Sequence, residues 1–394
     1  MKALWISAEP PDRNLGGGSI REAYLLEALG RAVDTHLLLA GRLDDQRTRA
    51  ALAAVTEVDT PGRPPPPTRA SRRLGDLRRV LVDRQPAAVV ENRGRVDVLA
   101  SRMRALGDFD LVCVEHDRLA PIVTARRAGS GRWALGLQNL PSERKRHELT
   151  LASTRRQRWL YRREMADARR FEAAMADAYD VVFVPSAEDA AALGRGAVVI
   201  PNGVDTNRFR PTALPASPTL VFTGTLSWQP NVDGITWFCR EVLPLVRAKV
   251  PDARLDVVGR EPLPEVAALA RLDGVAVHPD VPSVVPWLEN ARVALVPVRI
   301  GSGTRLKALE AMAAGRPVAG TTIGMEGLGV VDGVHALVAD DPGSLAAAVT
   351  QLLLDDDLAA RVARAGADHA RAGFAWDVIG RRFVDAVLVQ RQAR

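Results

Sequence analysis

The stretch that decides the fold reads VPVRIGSGTRLKALEAMAAGRPV and runs from Val296 to Val318. Its apolar beginning predicts a buried strand that ends at Val298, and its later residues have the apolar spacing of a helix that begins near Thr304. A turn that contains Gly301 and Gly303 joins the two. A buried strand, a glycine turn and a helix in this order are typical of the repeating unit of a parallel sheet.

The same alternation of short apolar runs and helical patterns continues along the chain. Strands are predicted at Ala3–Ala8, Thr35–Ala40, Asp110–Glu115, Trp133–Leu137, Val181–Val184, Leu220–Thr223, Arg254–Val258, Val275–His278, Val293–Val298 and Pro317–Ala319. Helices are predicted at Ser19–Ala32, Ala152–Tyr179, Asp233–Val250, Thr304–Ala314 and Pro342–Leu354. Because such alternation implies parallel sheets covered by helices on both faces, we predict an α/β fold.

The alternation pauses once, at the sequence VIPNGVD from Val199 to Asp205, where Pro, Asn and Gly together end a strand and turn the chain. A length of 394 residues also favours two domains. We therefore predict two doubly wound, Rossmann-like domains, residues 1–204 and 205–375, that face a cleft. Ligands of such folds bind beyond the carboxyl ends of the strands, so residues directly after strands are the first candidates for a site.

The strongest candidate site is the glycine turn before the helix that begins near Thr304. The first amides of a helix lack internal partners and lie at its positive dipole end, so they favour a phosphate. Arg305 and Lys307 add two cations at this end, which opposes the dipole unless an anion binds there. The alternative interpretation is an ordinary strand-to-helix turn with solvated charges.

Three other positions follow the same logic. Glu310 lies two helical turns further on, where its carboxylate could accept hydrogen bonds from two ribose hydroxyls; the alternative is an exposed helical glutamate. His116 directly follows the predicted strand Asp110–Glu115, and the alternative is a structural histidine. The turn at Gly16–Ser19 opens a helix after the first strand, and a plain flexible loop is the alternative.

Composition and charge narrow the possible partners. The net charge is +6 and the pI is about 9.9, which indicates either an arginine-rich surface or an anionic partner such as a nucleotide-sugar or an anionic lipid. The arginine-rich segment 144–170 shares this ambiguity: its helix either solvates its arginines or contacts an anionic membrane. Zinc-finger spacing and aromatic-rich RNA-binding motifs are absent from the sequence, so we predict no nucleic-acid partner.

The sequence also suggests a cellular compartment. No apolar run approaches the ~20 residues of a membrane span, and Met1–Pro11 lacks the basic segment and cleavage site of a signal peptide. Cys113 and Cys239 both lie in apolar segments and are predicted to be core residues. We therefore expect a cytoplasmic protein, with peripheral contact at the inner face of the membrane as the open alternative.

Several motifs, taken in order, resemble those of the family-4 retaining glycosyltransferases over nearly the whole chain. The bacterial branch associated with exopolysaccharide and exosortase loci is the most similar. The matching segments are Glu115–His116, Ile200–Asp205, Phe222–Asp233 with Trp237–Phe238, Val258–Arg260, Gly301–Glu310, Thr322–Leu328 and Trp376–Asp377.

The resemblance implies a GT-B fold and a retaining transfer of a sugar from a nucleotide diphosphate-sugar to a hydroxyl acceptor, without a metal or another cofactor. The acceptor would be a glycan, a lipid-linked molecule or a small natural product. Residues 1–204 would form the acceptor side, with a C-terminal helix at 376–394 crossing back onto it, and residues 205–375 would bind the nucleotide-sugar. The alternatives are an epimerase or phosphorylase of the same fold, or a non-catalytic subunit.

The resemblance also implies a role for each matching residue. Gly303, Thr304 and Arg305 would contact the donor phosphates with Lys307 close by, Glu310 would bind the ribose, and Val281 would lie near the base. His116 would contact the transferred sugar and act in catalysis with Arg305 and Lys307. The remaining donor-side residues would be Gly17, Gly18, Gly224 and Thr225.

The sequence departs from the family pattern at three places. Ser302 stands where many members have a glutamate, and Glu326 would replace that carboxylate if its loop reached back. Thr225 and Asn231 stand where many members have an arginine and a lysine, so Arg305 and Lys307 are expected to carry the charge at the diphosphate. Gln138, where the branch often has a histidine, indicates an altered acceptor pocket.

Overall fold

The computed structural model describes residues 1–13, 17–60, 84–150, 152, 154–194, 196–300 and 305–389, with the backbone alone at His147 and Thr150. The described residues form two compact units. One contains the chain up to Pro201 together with the segment from Ile379 onward, and the other contains Asn202–Val378. The domain boundary predicted from the sequence lies between residues 204 and 205, and the observed boundary lies between Pro201 and Asn202.

The first unit is built on a parallel sheet of seven strands in the described residues, in the order β3-β2-β1-β4-β5-β6-β7. The strands are β1 (Lys2–Ser7), β2 (Asp34–Ala40), β3 (Ala54–Val58), β4 (Leu111–Glu115), β5 (Arg132–Gly136), β6 (Val181–Val184) and β7 (Val198–Val199). Ala3, Leu4, Trp5 and Ile6 are fully buried, because a central strand of a parallel sheet is covered on both faces.

The helices of the first unit cover this sheet. They are α1 (Gly17–Ala32), α2 (Gln46–Ala50), α3 (Ala87–Glu91), α4 (Arg93–Leu106), α5 (Pro141–Thr150), α6 (Arg155–Ala178) and α7 (Ala187–Leu193), with a 3₁₀ helix at Asp117–Ala125. The long helix α6 begins with a capping box: Thr154 Oγ1 accepts from the Gln157 backbone at 3.1 Å, and the Gln157 side chain accepts from the Thr154 backbone at 3.1 Å.

The second unit repeats the plan with six strands in the part of the chain that the structure describes, in the order β10-β9-β8-β11-β12-β13. They are β8 (Thr219–Thr225), β9 (Arg254–Arg260), β10 (Val275–Pro279), β11 (Val293–Val296), β12 (Val318–Gly320) and β13 (Leu337–Val338). Every strand pair in both sheets is parallel. The α/β fold predicted from the sequence is confirmed.

The helices of the second unit are α8 (Gln229–Trp237), α9 (Leu243–Arg247), α10 (Pro264–Ala267), α11 (Val285–Asn290), α12 (Leu306–Ala313), α13 (Pro342–Leu354) and α14 (Asp356–Phe374). The last helix, α15 (Trp376–Leu388), begins in this unit and continues into the first. A π-helical turn at Phe238–Val242 joins α8 to α9, and 3₁₀ turns lie at Ala268–Arg271 and Ile323–Met325. Cys113 and Cys239 are free and buried, as predicted.

Two boundaries of the deciding stretch differ from the prediction. Strand β11 ends at Val296 rather than Val298, because Pro297 has no N–H with which to continue the ladder. Helix α12 begins at Leu306, two residues later than expected, with Arg305 as its N-cap residue. The short strands β3, β7 and β13, the longer helices α4 and α14 and several short helices were not predicted.

The C-terminal helix α15 returns to the first unit at Ile379. Phe383 is fully buried there and packs edge-to-face on Trp5 and Phe183, with ring centroids 5.8 Å and 5.1 Å away. Arg132 Nη1 donates to the Val387 carbonyl at 3.0 Å. The last helix is therefore part of the core of the first unit.

Candidate functional site

The strand order of the second sheet reverses between β8 and β11, which are hydrogen-bonded neighbours. Ligands of doubly wound sheets bind at such a reversal, beyond the carboxyl ends of the strands. Gly224 and Thr225 end strand β8, and helix α12 follows β11. The structure thus brings the predicted donor-side residues Gly224, Thr225 and Lys307 together in one unit.

Lys307, in the first turn of α12, is the centre of this site. Its Nζ donates a 2.6 Å hydrogen bond to Asn231 Oδ1 and lies 3.9 Å from the centroid of the Phe222 ring. Burial, followed by the nearby charge of Arg305, lowers the pKa of Lys307 well below its usual value, and Glu310 acts in the opposite direction. The surrounding protein therefore only partly offsets the cost of burying a positive charge on Lys307.

Gly224 provides the space that this amino group occupies. A Cβ at Gly224 would lie 2.7 Å from Asn231 Nδ2 and 2.9 Å from Lys307 Nζ, and its φ of +155° is a backbone conformation that side chains rarely adopt. Thr225 contributes its backbone carbonyl, which accepts from Asn231 Nδ2 at 2.8 Å. Gly224 thus leaves space for the Lys307 amino group, and Thr225 holds Asn231 through its backbone carbonyl.

Arg305 is 4% exposed and lies at the same helix terminus. Its Nε donates to the Ile323 carbonyl at 3.3 Å, its Nη2 lies 3.9 Å from Glu326 Oε2, and its Cζ lies 6.0 Å from the Trp228 ring centroid. Burial lowers the pKa of Arg305, and Glu326 opposes this. Glu326 therefore lies beside the Arg305 guanidinium. Its carboxylate is the one predicted to replace the glutamate missing at Ser302.

Two predicted phosphate contacts, Gly303 and Thr304, lie outside the described residues. Glu310 is partly exposed on α12. Burial raises the pKa of Glu310, while the cations Arg208 and Lys307 lower it in part. A carboxylate whose charged form is favoured by two cations can accept hydrogen bonds from sugar hydroxyls.

Val281, the predicted neighbour of the base, follows a strained pair of residues. Asp280 after β10 has φ +52° and Glu261 after β9 has φ +54°. Glu261 N donates to Asp280 Oδ1 at 3.0 Å, and Ser227 Oγ donates to Glu261 Oε2 at 2.9 Å. Left-handed backbone at a non-glycine residue costs about 1–3 kcal/mol and persists where its surroundings hold it. Sequence reasoning missed Glu261 and Asp280, although each lies within three residues of the end of a predicted strand.

A bidentate ion pair anchors the chain just before the glycine turn. Arg299 Nη2 and Nε donate to the two carboxylate oxygens of Asp233 at 2.7 Å and 3.0 Å, and the Arg299 Cζ lies 5.0 Å from the Trp237 ring centroid. Fork-shaped pairs of this kind add geometric specificity to the attraction of the charges. The sequence offered no signal for this pair, because its members are 66 residues apart.

The first sheet reverses its strand order between β1 and β4, and His116 follows β4. His116 has φ +74°, and its backbone N donates to the Gly136 carbonyl at 3.0 Å. Burial, followed by the charge of Arg118, lowers the pKa of His116 to about 3, so the ring is neutral near pH 7. A neutral imidazole can donate through one ring nitrogen and accept through the other.

Gly17 and Gly18 open helix α1, which follows β1. A Cβ at Gly18 would overlap the amide oxygen of Gln138. Gln138 Nε2 donates to the Gly18 carbonyl at 3.2 Å and lies 3.4 Å from Glu115 Oε1. The amide of Gln138 therefore connects the start of α1 to the strand end that carries His116.

Behind this strand end lies a buried charged cluster that sequence reasoning missed. Arg21, Glu22 and Glu115 are each 1% exposed or less. Burial, together with the neighbouring Glu115 charge, raises the pKa of Glu22 to about 8, and burial raises the pKa of Glu115 to about 7. Arg21 and Glu22 lie on α1, where charged residues usually indicate a solvated face, so the sequence carries no sign of their burial.

The basic helix α6 exposes its N-terminal turns. Arg155, Arg156 and Arg162 are exposed, and Trp159 between them is 57% exposed. Phe171, nearer the C-terminal end, is buried in the core. Beside the helix is a cavity of about 270 Å³ whose lining includes Arg144, Lys145, Tyr161, Glu164 and Asp167.

The described residues contain no group of three or more His, Cys, Asp or Glu side chains arranged to hold a metal ion. No helix among them has the length and apolar character needed to cross a membrane.

Known proteins resemble the chain in sequence and in structure. The family described as "Glycosyl transferases group 1" matches residues 217–355. A GDP-mannose-dependent alpha-(1-6)-phosphatidylinositol monomannoside mannosyltransferase of Mycobacterium tuberculosis is 30% identical over 350 residues, which span 79% of this chain and 84% of that protein.

Two solved structures share the fold at low sequence identity. A sucrose-phosphate synthase of Thermosynechococcus elongatus superimposes with a TM-score of 0.71 at 19% identity, over 97% of this chain and 96% of that one. Anabaena Alr3699/HepE, solved in complex with UDP and glucose, superimposes with a TM-score of 0.63 at 14% identity, over 98% of each chain.

Proposed function

The chain belongs to the group 1 glycosyl transferases and has the GT-B fold, and on this premise we propose that it transfers a hexose from a nucleoside diphosphate-sugar to a hydroxyl acceptor with retention of configuration. The observation that carries this proposal is the pair of cations at the β8/β11 reversal. Lys307 lies in the first turn of α12 and Arg305 caps the same helix. A diphosphate is the ligand that offsets both charges and the helix dipole.

In this proposal, different residues bind different parts of the donor. Arg305 and Lys307 contact the diphosphate, and the family resemblance adds Gly303 and Thr304, which lie outside the described residues. Glu310 binds the ribose hydroxyls, and Val281 lies at the base. Gly224 leaves room for the Lys307 amino group, since any side chain there would meet it.

Transfer requires stabilisation of the departing diphosphate while the sugar gains positive charge. Preorganised cations aimed at the developing charge supply this stabilisation. In the proposed same-face reaction, the bond between the anomeric carbon and the phosphate oxygen breaks, a bond to the acceptor oxygen forms, and the departing phosphate takes the acceptor's proton. His116 contacts the transferred sugar as a neutral ring. Because Arg305 and Lys307 supply the positive charge, we propose that the reaction needs no metal.

We propose GDP-mannose as the first donor to test and a lipid-linked acceptor as the first acceptor class. The Mycobacterium tuberculosis relative is named for GDP-mannose and for a phosphatidylinositol monomannoside. The exposed arginines and Trp159 of α6 support an anionic lipid surface as the setting, because basic residues attract anionic headgroups and tryptophan favours the membrane interface. Contact would then be peripheral.

The test combines a donor screen with an analysis of the product. The protein is incubated with GDP-mannose or UDP-glucose, an octyl glycoside acceptor in phosphatidylinositol micelles, and EDTA. We expect acceptor-dependent release of nucleoside diphosphate and a product whose anomeric configuration, read by NMR, equals that of the donor. An inverted product would refute retention, a requirement for metal would refute metal independence, and an isomerised donor without transfer would identify an epimerase. Donor binding without turnover in any acceptor mixture would identify a non-catalytic subunit.

A further inference from the structure

We propose that Asn231 is a positioning residue that holds the amino group of Lys307 at the diphosphate subsite, and that this amino group takes up a proton when the diphosphate binds. The inference rests on the proposed function, because it takes a nucleoside diphosphate as the ligand of Lys307.

The position of the amino group is fixed from several sides. Asn231 Nδ2 donates to the Thr225 carbonyl at 2.8 Å, and this bond turns the amide so that its oxygen faces Lys307. Lys307 Nζ then donates to that oxygen at 2.6 Å and lies over the Phe222 ring. Gly224 leaves the volume open, since a Cβ there would lie 2.9 Å from Nζ. The long lysine side chain is thus held in one place before any ligand arrives.

The partner that holds this amino group is neutral. Among the described residues, no carboxylate oxygen forms an ion pair with Lys307 within 4.0 Å. The charged groups that face it are Arg305 and Glu310 from its own helix, with Arg208 acting in turn on Glu310. Burial and Arg305 disfavour the charged amine more than Glu310 favours it, so the pKa of Lys307 lies well below its usual value.

A bound diphosphate changes this balance. It brings several negative charges next to the amino group and so favours the charged form. At a pH where part of the unbound protein carries the neutral amine, the nitrogen lone pair then accepts a proton from solvent and the lysine becomes an ammonium ion. The amide oxygen of Asn231 serves both states, because it accepts a hydrogen bond from either form of the amine. An aspartate at position 231 would instead keep the amine charged before binding.

Calorimetry of the full chain measures the proton directly. GDP, or UDP if the donor screen selects it, is titrated at several pH values between about 7 and 10 in buffers of different ionisation enthalpy. We expect wild type to take up protons on binding, as much as about one per bound nucleotide at the pH where the linkage is largest. Lys307→Arg, which remains charged, and Asn231→Asp should both bind without this uptake. Binding by wild type with no more uptake than Lys307→Arg would overturn the inference while leaving the proposed function intact.

A double-mutant cycle tests the positioning role. Asn231→Ala should weaken nucleotide binding about tenfold, because Lys307 loses the acceptor that places it. In the Lys307→Ala background, the same change should have almost no further effect. Asn290→Ala is the matched control: Asn290 is exposed on α11 and its Nδ2 also donates to a backbone carbonyl, that of Pro286 at 2.8 Å. Equal losses in both backgrounds would show a merely structural role and overturn the inference. If wild type bound no nucleoside diphosphate at all, the proposed function and this inference would fall together.

Discussion

The indole nitrogen of Trp5 donates a hydrogen bond of 2.8 Å to Glu22 Oε1 inside the first unit. Both residues are 1% exposed or less, and Glu22 Oε2 lies buried without a hydrogen-bond partner among the described residues. Burial first, and the charge of Glu115 second, raise the pKa of Glu22 from 4.5 to about 8. The folded protein therefore favours the protonated form of this carboxyl group.

This relationship predicts a pH dependence of stability. Since the folded pKa of Glu22 is raised, its protonated form contributes stability that is fully present below about pH 4.5 and is lost as the pH rises through about 8. Glu22→Gln keeps the acceptor for Trp5 and removes the titration. We expect the free energy of unfolding in urea to favour the variant increasingly between about pH 5 and pH 9. Glu188→Gln, exposed on α7, is the control. A pH-independent difference between wild type and Glu22→Gln would contradict the prediction.

Removing either cation at the start of α12 should weaken donor binding. Arg305→Ala or Lys307→Ala removes a charge-assisted contact worth about 1.5–3 kcal/mol, which corresponds to roughly a 10- to 150-fold loss of affinity. Nucleotide titration and turnover measure this loss. The exposed lysine of the second unit, in Lys249→Ala, is the matched control. If both variants bound and turned over like wild type, the proposed diphosphate subsite would be wrong.

Glu310→Gln should reduce affinity for the nucleoside diphosphate itself. The lost charge weakens the hydrogen bonds from ribose, so we expect about a fivefold to tenfold reduction. Comparison of GDP with its 2′,3′-dideoxy analogue separates this role from others: wild type should prefer GDP, and the variant should prefer it much less. Normal nucleotide binding with altered sugar selectivity would place Glu310 at the sugar instead.

The C-terminal helix should be needed for the stability of the first unit. Phe383 is fully buried against Trp5 and Phe183, so Phe383→Ala leaves a cavity and should cost about 3–5 kcal/mol. Thermal and urea unfolding measure this cost. Val389 is 60% exposed, so Val389→Ala should change stability little. A Phe383→Ala protein that unfolds like wild type would show that this helix is dispensable.

The basic turns of α6 should bind anionic membranes at low salt. Each basic residue near the surface contributes up to about 1 kcal/mol, so changing Arg155, Arg156 and Arg162 to Gln should weaken binding by as much as roughly a hundredfold. Sedimentation with phosphatidylserine and phosphatidylcholine vesicles at low and high salt measures this effect, because salt screens exposed charge. Changing Arg361, Arg364 and Arg371, exposed on α14, is the charge-matched control. If wild-type protein did not sediment with anionic vesicles at low salt, the result would support a solvated helix and a soluble acceptor.

The sequence alone was enough to predict the class of fold. Central strands such as β1 are buried on both faces, so their residues form continuous apolar runs that can be recognised locally. The glycine turn and the cations Arg305 and Lys307 are likewise contiguous in the chain. Each of these signals lies within about one strand–turn–helix unit, which is why periodicity and turn residues suffice to find them.

Only the tertiary structure decided which distant groups meet. Lys307 donates a hydrogen bond to Asn231, which is 76 residues away in the chain. Phe383 packs on Trp5, which lies near the other end of the chain. Glu22 looks like a surface residue of a helix, yet it is buried and accepts a hydrogen bond from Trp5 on β1. Such pairings depend on strand order and helix orientation rather than on local sequence, so the burial and electrostatics of the site emerged only once the chain was folded.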